Sequence, residues 1–246
     1  MRLKDKVAIV TGGASGFGEG IARRFAEDGA RVVIADLNEA AAQKLATEIG
    51  GLAVRTDVSS SADVAALAKA TTEHFGAIDI LVNNAGIGHK PRPLDTLSEE
   101  DFDRILAINA KSVFLTAQQI VPAMKTRKAG AILNIASTGG VSPRPNLTWY
   151  NASKGWMITA TRAMAVELAP FGIRVNALNP VAGETPLLAT FMGEDTPEIR
   201  AKFLASIPIG RFSTPADIAA AASFLCSAEA SMITGVALEV DGGRCI

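Results

Sequence analysis

Cysteine, histidine and most aromatic residues are scarce in this sequence, and neither sign of charge dominates it. The 246 residues include two cysteines, two histidines, two tryptophans and one tyrosine. So few metal-ligating side chains disfavour a zinc enzyme, and Cys226 and Cys245 do not have the density of a disulfide scaffold. The 24 basic and 25 acidic residues leave a net charge of -1, which argues against nucleic acid as a partner.

Long apolar runs are also missing. The amino terminus passes from charged residues into the short apolar run Val7–Val10, and no stretch is long enough for a membrane span. We therefore expect a reduced, cytoplasmic protein that binds small molecules, with no membrane partner and no metal.

Short β-branched runs alternate with longer segments that have apolar residues at three- and four-residue spacing. The seven candidate strands are Val7–Val10, Arg31–Ala35, Leu52–Thr56, Ile78–Val82, Ala131–Ala136, Ile173–Leu178 and Val236–Val240. The main helical segments between them are Glu19–Asp28, Glu39–Ile49, Ala62–Phe75 and Glu99–Met124. This rhythm predicts an α/β fold with a parallel sheet covered by helices on both faces.

No linker or internal repeat divides the chain, so we expect one domain over residues 1–246. The stretch 182–208 departs from the rhythm, because it is rich in Pro, Gly and Met and is longer than a simple crossover. We predict that this stretch, called the lid segment below, covers a binding site.

A glycine-rich turn follows the first candidate strand. Gly12, Gly16 and Gly18 precede a helical segment that we expect to begin near Glu19. Glycines let a backbone approach a pyrophosphate closely, and the amides at the start of the following helix bind its charge. The turn therefore predicts a dinucleotide site.

Two acids end the second and third candidate strands. A carboxylate at Asp36 can accept hydrogen bonds from the adenosine ribose hydroxyls and repels a 2′-phosphate, and neither Ala14 nor Leu37 supplies a basic side chain. This pattern favours NAD over NADP. Asp57 is either an acceptor for the adenine amino group or a helix cap.

The single tyrosine, Tyr150, is followed four residues later by Lys154. Four residues make about one helical turn, so both side chains project from one face. An ammonium beside a phenol favours the phenolate, and we therefore expect Lys154 to lower the pKa of Tyr150.

Four motifs together resemble the short-chain dehydrogenase/reductase family in order and spacing. They are the glycine turn, Asn83-Asn84-Ala85-Gly86, Ser137 after the fifth strand and Tyr150-x-x-x-Lys154. The resemblance spans nearly the whole chain. It implies a Rossmann-type, doubly wound fold, a nicotinamide cofactor, no metal in the chemistry and a homotetramer.

The resemblance also implies four catalytic residues. Tyr150 is the expected general acid/base, Lys154 lowers its pKa and holds the nicotinamide ribose, and Ser137 donates to the substrate oxygen. Asn109 is expected to position a water in a proton relay. Preplaced donors of this kind stabilise negative charge as it develops on oxygen.

The expected cofactor contacts come from the strand ends and the turns that follow them. They are Gly12, Ser15, Gly16, Phe17, Gly18, Asp36, Leu37, Asp57, Val58, Asn84, Ala85, Gly86, Tyr150, Lys154, Pro180, Val181 and Thr185. After the sixth strand the family commonly has Pro-Gly, and here Val181 replaces the glycine. We expect its branched side chain to narrow the space around the nicotinamide ring.

The expected function is therefore NAD(H)-dependent interconversion of a secondary alcohol and a ketone. Two alternatives stay open, a 3-oxoacyl-[acyl-carrier-protein] reductase and an NAD-binding regulator without catalysis. Arg144, in the loop between Ser137 and Tyr150, either pairs with an anionic group of the substrate or is a solvated surface residue.

Overall fold

A parallel sheet of seven strands runs through the protein. The computed structural model describes residues 1–246. Its strands are β1 (Val7–Thr11), β2 (Arg31–Asp36), β3 (Leu52–Arg55), β4 (Ile80–Asn83), β5 (Gly130–Ile135), β6 (Ile173–Pro180) and β7 (Ala237–Val240). Their order is β3-β2-β1-β4-β5-β6-β7, and each neighbouring pair is parallel. The predicted α/β fold is confirmed, and the order reverses between β1 and β4, where such sheets bind ligands.

Helices cover both faces of the sheet. They are α1 (Gly16–Glu27), α2 (Glu39–Ile49), α3 (Ser61–Phe75), α4 (Glu99–Leu106), α5 (Ser112–Arg127), α6 (Thr148–Leu168), α7 (Pro186–Met192), α8 (Pro197–Leu204) and α9 (Pro215–Cys226). Successive β1 side chains point to opposite faces. Ala8 and Val10 pack with α1, α2 and α9, whereas Ile9 packs with α3, α5 and α6. Both layers are apolar because a parallel sheet of this kind is buried on both sides.

Several element bounds differ from the predicted ones by a few residues. Helix α1 begins at Gly16 instead of Glu19, because the Ser15 carbonyl already accepts a hydrogen bond from the Glu19 amide at 3.1 Å. Strand β4 begins at Ile80 instead of Ile78. The Asp79 carboxylate accepts a hydrogen bond from the Val7 amide at 2.9 Å and so fixes the start of that strand.

The long helix predicted over Glu99–Met124 is wrong as one regular helix. A π-helical turn, Ala107–Lys111, separates α4 from α5. Such turns insert one extra residue into a helix and are frequent at functional sites. Asn109 lies in this turn and is fully buried.

The lid segment contains α7 and α8. Its apolar side chains Leu188, Met192 and Ile207 form a small buried cluster with Val181 and Phe212. The segment therefore has its own packed base beside the end of β6.

A chain of buried polar side chains joins the central strands to the helices beneath them. Asn83 donates to Asn134 at 2.9 Å, Asn134 donates to Thr161 at 2.8 Å, and Thr116 donates to Asn83 at 2.9 Å. Each is at most 4% exposed, so each bond is made in a low-dielectric interior. The network ties β4 and β5 to α5 and α6 just below the strand ends.

Removing the Thr161 hydroxyl should destabilise the protein, because the buried amide of Asn134 then loses its acceptor. We expect Thr161→Ala to lower the free energy of unfolding by about 2 kcal/mol in a urea titration at fixed protomer concentration. Thr72→Ala is a matched control, since Thr72 is an exposed helical threonine with the same bond to the carbonyl four residues earlier. It should change stability by less than about 0.5 kcal/mol. Equal losses in the two variants would contradict a stabilising role for the network.

Candidate active site

A cavity of about 520 Å³ opens at the carboxyl ends of the central strands. Sixteen cofactor-contact candidates and Ser137 line it, namely Gly12, Ser15, Gly16, Phe17, Asp36, Leu37, Asp57, Val58, Asn84, Ala85, Gly86, Ser137, Pro180, Val181, Thr185 and the pair Tyr150 and Lys154. Gly18 and Asn109 do not line it, because each is packed behind the cavity wall. The cavity thus brings the glycine turn and the Tyr150 pair together in one space.

The glycine turn has no room for side chains. Gly12 and Gly16 have φ values of +58° and +55°, which favour glycine over other residues. A Cβ on Gly12 would lie 2.9 Å from the Ala85 Cα, and one on Gly18 would overlap the Gly12 carbonyl and the Asn84 amide. Ser15 is the N-cap of α1, so the amides of its first turn face the cavity end.

The turn is braced by hydrogen bonds between Thr11, the last residue of β1, and the residues that follow β4; Thr11 was not among the predicted site residues. The Thr11 hydroxyl accepts hydrogen bonds from the Asn84 and Ala85 amides at 3.0 and 3.1 Å. The Asn84 side chain donates to the carbonyls of Thr11 and Gly12, both at 2.9 Å. Asn84 therefore holds the turn in shape as well as lining the cavity. The position of Thr11 directly before Gly12 is the signal that was available in the sequence.

Asp36 closes the far end of the turn. Its Oδ2 accepts a hydrogen bond from the Ala14 amide at 3.0 Å, and its Oδ1 accepts one from the Asn38 amide at 2.9 Å. A carboxylate has about four acceptor positions, so acceptor capacity remains for a ligand. Leu37 beside it is 55% exposed and offers an apolar surface.

Asp57 lies in the turn before α3, whose N-cap is Ser60. Its Oδ1 accepts hydrogen bonds from the Ser59 amide at 2.9 Å and from the Ser59 hydroxyl at 2.7 Å. These bonds shape the turn that precedes α3. Its neighbour Val58 is buried at the cavity wall.

Tyr150, Lys154 and Ser137 converge from α6 and the end of β5. Tyr150 and Lys154 are only 7% and 4% exposed. The Lys154 ammonium lies 6.0 Å from the centre of the tyrosine ring and donates to the Ile135 carbonyl at 2.9 Å. The Ser137 hydroxyl accepts a hydrogen bond from the Gly139 amide at 3.0 Å. That bond fixes the serine beside the phenol.

The net shift of the Tyr150 pKa in this structure is opposite to the shift expected from the charge of Lys154. Burial raises the pKa of Tyr150 to about 12, and a hydrogen bond with Ser137 works against that rise. Burial also lowers the pKa of Lys154 to about 8. The charge of the ammonium favours the phenolate, but removal from water disfavours both ions.

Asn109 lies behind this group and connects the π-helical turn to α6. Its side-chain oxygen accepts a hydrogen bond from the Ile87 amide at 2.9 Å, and its amide donates to the Ile87 carbonyl at 2.9 Å and the Ser153 hydroxyl at 3.0 Å. A Cβ on Gly86 would lie 3.2 Å from the Lys154 ammonium and 3.4 Å from the Asn109 oxygen. Gly86 therefore allows the lysine and the asparagine to approach each other.

Val181, which we expect to narrow the space around the nicotinamide ring, also has a packing role. Its side chain is 4% exposed and belongs to the buried cluster under the lid segment. The branched residue thus supports the base of that segment while it lines the cavity. Thr185 is the N-cap of α7, and a Cβ on Gly16 would lie 3.2 Å from the Thr185 side chain.

Two aromatic residues of the lid segment lie at the cavity and were absent from the predicted site. The ring of Phe191 lies 4.8 Å from that of Tyr150, and Phe203 lines the cavity wall beside Arg144. Only their apolar character in an irregular segment could have indicated them. These rings add an apolar wall next to the tyrosine.

Sequence comparison with known proteins agrees with this geometry. A family model described as enoyl-(acyl carrier protein) reductase matches residues 12–244. The 4-formylbenzenesulfonate dehydrogenase of Comamonas testosteroni is 50% identical over 99% of each chain. The galactitol 2-dehydrogenase of Agrobacterium fabrum is 41% identical, also over 99% of each chain.

A solved structure matches as well. The 3-ketoacyl-(acyl-carrier-protein) reductase of Brucella melitensis complexed with NADH is 56% identical and superposes with a TM-score of 0.94. The match covers 99% of this chain and 100% of that one. This chain belongs to the short-chain dehydrogenase/reductase family. It is an oxidoreductase of a family that uses NAD(P).

The site residues of this short-chain dehydrogenase/reductase fit such a cofactor. The turn at Gly12 and Gly16 forms a cradle that a Cβ would fill, and the cavity continues from it to Asp36 in one direction and to Tyr150 in the other. No group of three or more His, Cys, Asp or Glu side chains is placed to hold a metal ion. None of the helices combines the length and apolar character needed to cross a membrane.

Substituting alanine for Gly18 should disrupt the cradle. The new methyl group displaces the Asn84 amide and the Gly12 carbonyl, so we expect loss of NADH binding in a fluorescence titration and a drop in stability of more than about 2 kcal/mol. Gly155→Ala is the matched control, because a Cβ there lies 3.7 Å from the Gly140 carbonyl, in ordinary contact. That variant should keep NADH binding. Normal binding by the Gly18 variant would contradict the cradle.

Proposed function

We propose that the protein is an NAD(H)-dependent oxidoreductase that interconverts a secondary alcohol and a ketone, with Tyr150 as general acid/base. The observation that carries this proposal is the single cavity that joins the glycine cradle and Asp36 to the buried Tyr150, Ser137 and Lys154. A non-catalytic regulator needs the first part of this arrangement only.

The cofactor would lie along the residues that line the first part of the cavity, with the nicotinamide end near Tyr150. When bound, it supplies the hydride that is exchanged with the substrate carbon. In reduction, Ser137 and Tyr150 hold the carbonyl oxygen, and the phenol transfers its proton to that oxygen as negative charge develops there. The raised pKa of Tyr150 keeps the proton on the phenol at neutral pH.

In oxidation the proton moves from the alcohol to Tyr150, and the ammonium of Lys154 stabilises the phenolate that accepts it. Asn109 supports Tyr150 and Lys154 from the side that faces away from the cavity. Both N–H groups of its side-chain amide are engaged by Ile87 and Ser153, whereas its side-chain oxygen accepts one bond from the Ile87 amide and keeps capacity to accept another from a relaying water.

The remaining predicted properties belong to this proposal. The lid segment 182–208 closes over the substrate, a role supported by Phe191 next to Tyr150. We also propose a cytoplasmic homotetramer in which α5 and α6 pair between subunits. The exposed apolar residues Phe114, Trp156 and Val166 on these helices support that pairing.

A second candidate is reduction of a 3-oxoacyl thioester. It is favoured by the 56% identity to the Brucella melitensis reductase. Initial rates with NADH and NADPH against small ketones, cyclic ketones, keto sugars, keto acids and acetoacetyl thioesters separate the two functions. Fast turnover of the thioester alone selects the second.

Replacing Tyr150 by phenylalanine removes the proton donor and little else. We expect kcat/KM for ketone reduction to fall by about 100-fold or more, because general acid catalysis is lost. The Kd for NADH and the melting temperature should stay close to those of the unmodified enzyme, since the aromatic volume is conserved. Steady-state rates and NADH fluorescence check both parts. Undiminished turnover would refute the acid/base role.

Replacing Asp36 by asparagine should weaken the preference for NADH. The amide oxygen can keep one backbone hydrogen bond, but the repulsion of a 2′-phosphate disappears. We expect the ratio of kcat/KM with NADH to that with NADPH to fall by about tenfold. Asp57→Asn is the matched control at the same end of the cavity and should leave the ratio unchanged. A preference of the unmodified protein for NADPH would end the NAD assignment.

A further inference from the structure

Arg144 is the charged residue of the cavity that the proposed chemistry does not use. The charged side chains that line the cavity are Asp36, Asp57, Arg144 and Lys154. The two acids lie at the adenosine end, and Lys154 is bound to the Ile135 carbonyl. Arg144 is therefore the charged side chain that is available to a ligand beyond Tyr150.

The guanidinium of Arg144 is half-buried without a carboxylate partner. It takes part in none of the ion pairs of the protein. It donates to the Ser206 hydroxyl at 3.0 Å and lies over the Phe203 ring at 4.5 Å. These contacts hold one face and one nitrogen in place and leave other N–H donors of its fork for a ligand.

A second arginine, Arg244, adds to the positive charge near Arg144. Arg244 donates to the Ser142 hydroxyl at 3.0 Å, and its Nε is buried with no hydrogen-bond partner. Burial lowers the pKa of Arg144, and the charge of Arg244 lowers it further. The nearby Asp241 carboxylate accepts hydrogen bonds from the Gly243 and Cys245 amides instead of pairing with either arginine.

Arg144 is also fixed relative to the reacting centre. The Asn151 side chain, next to Tyr150, donates to the Arg144 carbonyl at 2.8 Å. Besides Arg144 and Tyr150, the cavity wall includes the aromatic ring of Phe191 and the apolar side chains of Leu187 and Leu188. Two like charges gathered at a partly desolvated wall are stabilised when an anion binds there.

We propose that Arg144, backed by Arg244, forms an anion subsite of the active site, and that the substrate is a flat carbonyl or alcohol compound carrying a carboxylate or sulfonate group at its far end. This inference rests on the proposed function. The planar guanidinium matches the two oxygens of such a group, and Phe191 and Phe203 pack against the flat body of the molecule.

The first test compares substrates that differ only in charge. The rates of reduction by NADH are measured for 4-acetylbenzoate, 4-acetylbenzenesulfonate and the neutral 4-acetylbenzamide. We expect KM for at least one anion to be about 30-fold lower than for the amide, as a charge-assisted hydrogen bond in a partly buried site provides. The two anions distinguish carboxylate from sulfonate.

Variants then assign the preference to the arginines. Arg144→Gln should remove most of the 30-fold preference, Arg144→Lys should keep part of it, and Arg244→Gln should reduce it to a smaller extent. Arg2→Gln is the control, because Arg2 is an exposed arginine before β1, at the opposite end of the sheet. An anion preference that Arg144→Gln leaves unchanged would overturn the proposal.

A binding measurement separates this proposal from the proposed function. Benzenesulfonate, benzoate and neutral benzenesulfonamide are titrated calorimetrically into the protein with NADH present. If an anion binds more tightly than the neutral ligand and this difference requires Arg144, the result supports the subsite even when no ketone is reduced. The absence of ketone reduction would refute only the proposed function. Equal affinity for charged and neutral ligands would overturn the subsite, whatever the turnover.

Discussion

The site depends on holding an ammonium in the protein interior beside a phenol. Lys154 is 4% exposed, and such a charge is costly to bury unless it is hydrogen-bonded. The Ile135 carbonyl at the end of β5 supplies the acceptor at 2.9 Å. Gly86 leaves room for the lysine, and Asn109 fixes the surrounding backbone. The end of β5, the turn after β4 and α6 must therefore keep a fixed arrangement.

This arrangement sets two opposing electrostatic effects against each other. Burial raises the pKa of Tyr150 and lowers that of Lys154, so the interior favours the neutral form of each residue. The proposed chemistry requires the phenol to gain and lose a proton while the lysine retains its charge. The hydrogen bond from Ser137 and the charge of Lys154 act in the direction that this chemistry needs. The balance between these effects is a property of the whole cavity.

Acidic and basic side chains lie in different parts of the cavity. Asp36 and Asp57 line it near the ends of β2 and β3, whereas Arg144 lines it in the loop before α6, beyond Tyr150, Ser137 and Lys154. The glycine turn needs close backbone approach, which side chains would prevent, whereas the far end is built from side chains of the lid segment and the loop before α6. A turn that depends on close backbone approach and a wall built from side chains can thus coexist in one fold.

The sequence by itself determined the sheet and the glycine turn that follows its first strand. Buried β-branched runs such as Val7–Val10 and the turn at Gly12 and Gly18 are local patterns, and local sterics make them readable. Only the tertiary structure decided the π-helical turn at Asn109 and the direction of the Tyr150 pKa shift. It also brought Arg144 close to Arg244, 100 residues away. These features arise from long-range packing and desolvation, which residue spacing does not encode.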